Sequence, residues 1–137
     1  MRVLAAVGRW SRSVLERRES PRGRSLRQLQ ENLSASQRQD YEAHGYFYVI
    51  GGKTGCRYRI RHGHTLNVEQ LGPKGERVAR LCFLPKGDLP AGDVLLAQKL
   101  ALELFETEAL RVAVVCRLTR ECGPLSSDRT CILTRLG

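Results

Sequence analysis

The spacing of apolar residues changes twice along this chain. From residue 26 it is helical, from 46 it alternates, and from 93 it is helical again. Leu26, Leu29 and Leu33 recur at three- and four-residue intervals. Ser25 is placed to cap that helix, and Ser20-Pro21-Arg22-Gly23-Arg24 before it reads as a break. Ser34-Ala-Ser-Gln37 has capping-box spacing and opens a second short helix. Gly45 is positioned to end it in the left-handed conformation.

Period two begins at Tyr46. Tyr46–Ile50 and Cys56–Arg61 flank Gly51-Gly-Lys-Thr-Gly55, a hairpin loop. In the second run Cys56, Tyr58 and Ile60 take one face and Arg57, Arg59 and Arg61 the other. Leu66–Leu71 and Arg77–Leu84 follow as strands, separated by the Gly72-Pro-Lys-Gly75 turn. The last periodic segment, residues 93–106, sets Leu96, Leu100 and Leu104 on a stripe with Ala97, Ala101 and Phe105. Lys99, Glu103 and Glu106 fall away from that stripe, so Glu103 and Glu106 read as an exposed pair with little reason for shifted ionisation. Asp88 or Asp93 is the expected cap, and Thr107-Glu-Ala-Leu110 extends helix towards Val115.

These elements predict an α+β fold: a helical lead-in, a three- to four-stranded antiparallel meander, and one long C-terminal helix packed on the sheet. Residues 25–115 form the single domain. Residues 1–24 are expected to be a basic, disordered leader and 116–137 a disordered tail. In the leader, Val3, Val7, Trp10 and Val14 would share one helical stripe among arginines. That pattern suits an organellar presequence, a helix that lies on a membrane surface or docks on a partner, or an unstructured arm, and leaves these open.

Charge sharpens this division. The 137 residues carry a formal net charge of +9. Residues 1–27 hold eight arginines against Glu16 and Glu19, whereas residues 28–115 hold eleven basic against ten acidic side chains. The basicity is thus concentrated in the leader, and a basic arm attracts any polyanion without reading its sequence. Five cysteines with no CxxC spacing argue against a disulfide framework and a zinc ribbon, and favour reduced thiols in a cytoplasmic compartment. No run of about twenty apolar residues is present to span a membrane.

Gly52-Lys53-Thr54 invites comparison with a phosphate loop. That loop needs a further glycine at position 47, which is Phe47, and must open a helix rather than an alternating strand. Arg57, Arg59 and Arg61, with Lys53 and Tyr48 nearby, form the candidate polyanion surface, for nucleic acid or another acidic partner. The competing reading is a solvated face paired with Glu69 or Glu76. His62, His64 and Cys56 or Cys82 have no standard zinc spacing. No catalytic set and no cofactor motif is readable. A pocket around Tyr48, Tyr58 and His64 would revive an enzyme reading. The alternative to a polyanion-binding module is an interaction protein, mating with a second copy or another chain through its long helix or an open sheet edge.

Residues from about Leu26 to Ala113 resemble a group of short bacterial or phage-type proteins. The resemblance is carried by Tyr41, Gly45-Tyr-Phe47, Gly52, Gly55-x-x-Tyr58-Arg-Ile60, Asn67-Val68, Leu81-Cys82, Leu89-Pro90, Gly92-Asp93 and Leu96-Ala-Gln-Lys-Leu100. It implies a domain of that extent and no activity.

Overall fold

The computed structural model describes residues 20–117 and 132–134. The stripe at Val3–Val14 and most of the basic leader and tail lie outside these residues. The architecture is α+β, with an antiparallel sheet and helices on one of its faces.

The chain enters through α1 (Pro21–Asn32) and α2 (Ala35–His44). Ser20-Pro21 starts α1 instead of breaking it. Proline occupies the first turn, where no intrahelical donor is missed, and the Ser20 hydroxyl accepts from the Gly23 amide at 3.0 Å. Ser25, expected as the cap of this helix, reaches another one. Its Oγ accepts from the Asp93 amide at 2.8 Å at the start of α3 (Ala91–Leu104), where neither Asp88 nor Asp93 supplies a side-chain cap. At α2 the capping box forms as its spacing predicts, with Gln37 N donating to Ser34 Oγ and Ser34 N to Gln37 Oε1. Gly45 closes the helix at φ 73°.

Four strands follow as a meander: β1 (Tyr46–Ile50), β2 (Arg57–Arg61), β3 (Val68–Leu71) and β4 (Arg77–Cys82). After α3 comes a short helix, α4 (Glu106–Val112), and then β5 (Val114–Arg117) and β6 (Ile132–Thr134). The sheet therefore has six strands in sequence order rather than three or four, and the long helix is internal to the topology, not C-terminal. Two features account for the difference. Phe105 leaves helical geometry, at φ −135° and ψ 42°, and divides α3 from α4. Beyond Val112 the β-branched Val114-Val115 pair with β4 instead of extending the helix. Cys56 and Cys82 are free thiols, but Cys116 is disulfide-bonded, against the expectation of reduced thiols throughout.

The core lies between helices and sheet. Leu29 and Leu33 meet Phe47, Val49, Tyr58, Ile60, Val68 and Leu81 from the strands and Leu95 and Leu102 from α3. The face that α3 buries is not the Leu96–Leu100–Leu104 stripe. Leu104 is 65% and Phe105 60% exposed, whereas Leu95, Gln98, Lys99 and Leu102 are buried. The helix is apolar on both sides, and its buried side is disguised by polar residues. Gln98 exchanges two hydrogen bonds with buried Asn67, at 2.7 and 3.0 Å, and Lys99 reaches Glu103 at 2.6 Å. Paired in this way, the amides avoid the penalty of burial without a partner.

Candidate functional site

The second sheet face carries no helix among the described residues. Cross-strand pairing determines what stands on it, because directly opposed residues point to the same side. Tyr46 opposes Arg61, Tyr48 opposes Arg59 and Ile50 opposes Arg57. Arg59 in turn opposes Glu69, and Glu69 opposes Arg80. A register shift between Gln70 and Leu71 adds one more cation. A regular ladder would set Val78 opposite Leu71, but the shift sets Arg77 there. The irregularity re-aims a side chain, as bulges do.

The outcome is a ring of guanidinium groups over one carboxylate. Glu69 is 1% exposed. Its Oε2 accepts from Arg59 Nε at 2.6 Å and Arg61 Nε at 3.1 Å, and its Oε1 accepts from Arg77 at 3.1 Å, with Arg80 Nε at 3.9 Å. Burial by itself pushes the Glu69 carboxyl up. The hydrogen bonds and charges of Arg59 and Arg77, with Arg61, outweigh it and hold the group below the ordinary glutamate value. Glu76, the other acid considered for this face, folds back onto its own turn and accepts from the Lys74 amide at 2.9 Å.

Two tiers result. Arg59 and Arg77 are the more enclosed, with side chains 21% and 23% exposed; Arg61 and Arg80 are about twice as open, at 45% and 42%. Arg57 is exposed and lies over the Tyr48 ring, its guanidinium carbon 4.0 Å from the centroid. Arg59 and Arg61 each approach the Tyr46 ring at 5.3 Å. The structure thus brings together Tyr48, Arg57, Arg59 and Arg61 of the residues nominated from sequence, and adds Tyr46, Glu69, Arg77 and Arg80. Lys53 stands apart, in the β1–β2 turn. Arg77 and Arg80 carried no sequence signal, since only the register shift and the ladder put them beside Glu69.

The edge of this face at β1 is partly closed. Gln37, besides completing the capping box, donates from Nε2 to the Tyr48 carbonyl at 2.7 Å. One of the unpaired edge acceptors is thereby occupied by α2.

The Gly51–Gly55 turn has a different occupant from the phosphate it superficially suits. The Lys53 and Thr54 amides both donate to Glu106 Oε2 at 2.8 Å, the Thr54 hydroxyl donates to Oε1, and the Tyr58 hydroxyl donates to Oε1 at 2.7 Å. Glu106 is 2% exposed, so the expected surface pair with Glu103 does not exist. Burial pushes this carboxyl up, but the hydrogen bonds from Thr54, Tyr58 and Lys53 prevail and lower it. Tyr58 responds in the opposite direction, raised by burial, by its bond to Glu106 and by that negative charge. A Cβ on Gly51 would meet the Glu106 carboxylate, and one on Gly52 would lie 1.9 Å from the Glu103 carbonyl oxygen. The two glycines are required by close approach of the turn to the α3–α4 junction.

His62 and His64 border a cleft of about 600 Å³ lined also by Arg22, Asp88 and Leu89. His62 Nδ1 lies 2.8 Å from the Tyr41 hydroxyl, and His64 Nε2 3.2 Å from the Leu89 carbonyl oxygen. Among the described residues no group of three or more His, Cys, Asp or Glu is arranged for a metal ion. Tyr58 is in the core on the face opposite Tyr48, so Tyr48, Tyr58 and His64 do not share a pocket. No described helix is long and apolar enough to cross a membrane.

Comparison with known proteins places no relative beside this arrangement. No family model, no curated protein and no solved structure matches the chain.

Proposed function

We propose that the open sheet face is a polyanion-binding surface and that the protein is a small, non-enzymatic binding module. One observation carries this reading. Four arginines converge on the single carboxylate of Glu69, and Arg57 stands beside them, so the face keeps an excess of cations after its internal pairing. The excess is also held in place. Tyrosine rings and Glu69 fix the guanidinium groups, which lowers the entropy lost when each binds a phosphate or sulfate oxygen. Among the described residues the buried Nε atoms of Arg77 and Arg80 find no hydrogen-bond partner, so Glu69 does not satisfy all the donors gathered around it. The arginine-rich residues 1–19 add long-range attraction without specificity.

Arg57→Ala, Arg61→Ala and Arg80→Ala are each expected to elute earlier from a heparin column. In salt titrations of a labelled anionic polymer, each should flatten the log K against log [salt] slope by about 0.9 for every phosphate no longer neutralised. Unchanged slopes in all three variants would exclude the surface.

A second reading rests on α3. Leu104, Phe105, Val112 and Leu84 are 60–74% exposed. A largely apolar groove of about 280 Å³ runs between α3 and the 83–89 segment. Under this reading a second copy of the chain covers the groove that Leu84 and Val112 line, closing as a dimer. Light scattering that finds a monomer at every concentration removes it.

A further inference from the structure

The chemistry of the face narrows the class of polyanion. Resting on the polyanion reading above, we infer that the ligand is single-stranded nucleic acid, its unpaired bases laid along β1 and its phosphates on the arginines of β2 and β4.

A continuous row of flat groups runs along β1. The His44 ring stacks on Tyr46 at 5.3 Å and 16°, Tyr46 meets Tyr48 edge-on at 5.6 Å, and the Arg57 guanidinium lies on Tyr48 at 4.0 Å. Ile50, 56% exposed, ends the row on the same face. A guanidinium over a ring still offers its outer side to a base and N–H groups to a phosphate. Such a row has no use for inorganic polyphosphate or a sulfated sugar, which have no planar groups. Stacking on aromatic and guanidinium planes is how unpaired bases are held with little regard to sequence.

Spacing separates single strands from duplex. Same-face residues on a strand recur every ~6.7 Å. Bases in a duplex are stacked about 3.4 Å apart on each strand and are closed to outside platforms. The Tyr46 and Tyr48 rings are 5.6 Å apart and 72° from parallel, so bases resting on them are neither at the duplex interval nor parallel to one another, an arrangement open to an unpaired strand. The arginines of β2 lie one strand spacing from this row, about 4.8 Å away, and Arg80 lies beyond Glu69 on β4. Phosphates of a strand whose bases sit on β1 therefore face cations.

The test uses the full chain and fluorescence anisotropy with four labelled or competing probes at one salt concentration: a short oligothymidine, an abasic oligomer of the same phosphate count, a hairpin duplex, and polyphosphate. The oligothymidine is expected to bind at least about tenfold more tightly than the abasic oligomer, with the duplex and polyphosphate near the abasic level. Tyr48→Ala should reduce oligothymidine affinity about tenfold and abasic affinity only about twofold, through the freed Arg57, while Tyr48→Phe, which keeps the ring, should restore both. Equal affinity for oligothymidine, abasic oligomer and polyphosphate overturns the single-strand inference and leaves the polyanion reading standing. Preference for the duplex also overturns it. Loss of binding in Tyr48→Phe equal to that in Tyr48→Ala overturns the stacking role. Failure to bind any probe overturns both readings.

Discussion

Replacing Glu106 by alanine is expected to destabilise the fold by about 4 kcal/mol, the largest single-residue effect we predict. Glu106 is at the start of α4 and almost wholly enclosed, yet it accepts from four donors: two backbone amides and two hydroxyls. Removing it strands the Tyr58 hydroxyl against the core and the Lys53 and Thr54 amides in a turn too tight to reorient. Each unsatisfied donor costs about 1–3 kcal/mol, moderated where water reaches the turn. Glu106→Gln should be milder, about 1–2 kcal/mol. Its carbonyl oxygen can keep the two amides, and the Thr54 and Tyr58 hydroxyls can turn to accept from its NH₂ group. Urea denaturation of the three proteins checks the order. An alanine variant within about 1 kcal/mol of wild type would show that the carboxylate contributes little.

Glu69→Gln is expected to lower stability by about 3 kcal/mol and to flatten its dependence on acid. The substitution leaves Arg59, Arg61, Arg77 and Arg80 around a neutral amide, where they repel one another. The loss is smaller than for a sealed ion pair because Arg61 and Arg80 can swing into water. The pH dependence has a definite sign. A carboxyl whose folded-state ionisation is displaced downward contributes stability that is complete above its ordinary value, 4.5, and that disappears as pH falls through the lower folded value. Glu106 is displaced in the same direction. Wild type should therefore weaken below about pH 4.5 through both groups, and the Glu69→Gln variant through Glu106 alone. Thermal midpoints between neutral and acid pH give the comparison; parallel curves for the two proteins would assign the acid sensitivity elsewhere.

Sequence made the first hairpin legible because its signals are local. Alternation in Arg57–Arg61 separates arginines from core residues, and the glycine-rich turn sets the register within a few positions. The capping box at Ser34 and the stop at Gly45 are equally short in range. What sequence concealed depends on distant partners. Glu69 looked like one acid among several, because its four arginines arrive from two neighbouring strands and one of them through a register shift. On α3, Gln98 and Lys99 disguised the buried side, while Leu100 and Leu104 imitated one; only the partner Asn67 reveals why an amide is tolerated there. Glu106 was hidden twice, by a helix break at Phe105 that periodicity does not report, and by donors more than forty positions away.

The socket that the β1–β2 turn makes for Glu106 also bears on time. Its amide bonds close across 53 and 52 residues of chain, whereas the hairpin that presents them closes across a handful. Contacts so remote in sequence are slow to gather, and a turn must already exist before its amides can receive the carboxylate. The Glu106→Ala loss should accordingly fall on the unfolding arm of a stopped-flow chevron, with refolding little altered; slowed refolding would instead put the socket in the folding nucleus. On this account one enclosed carboxylate governs how long the native state lasts, and scarcely how soon it is reached.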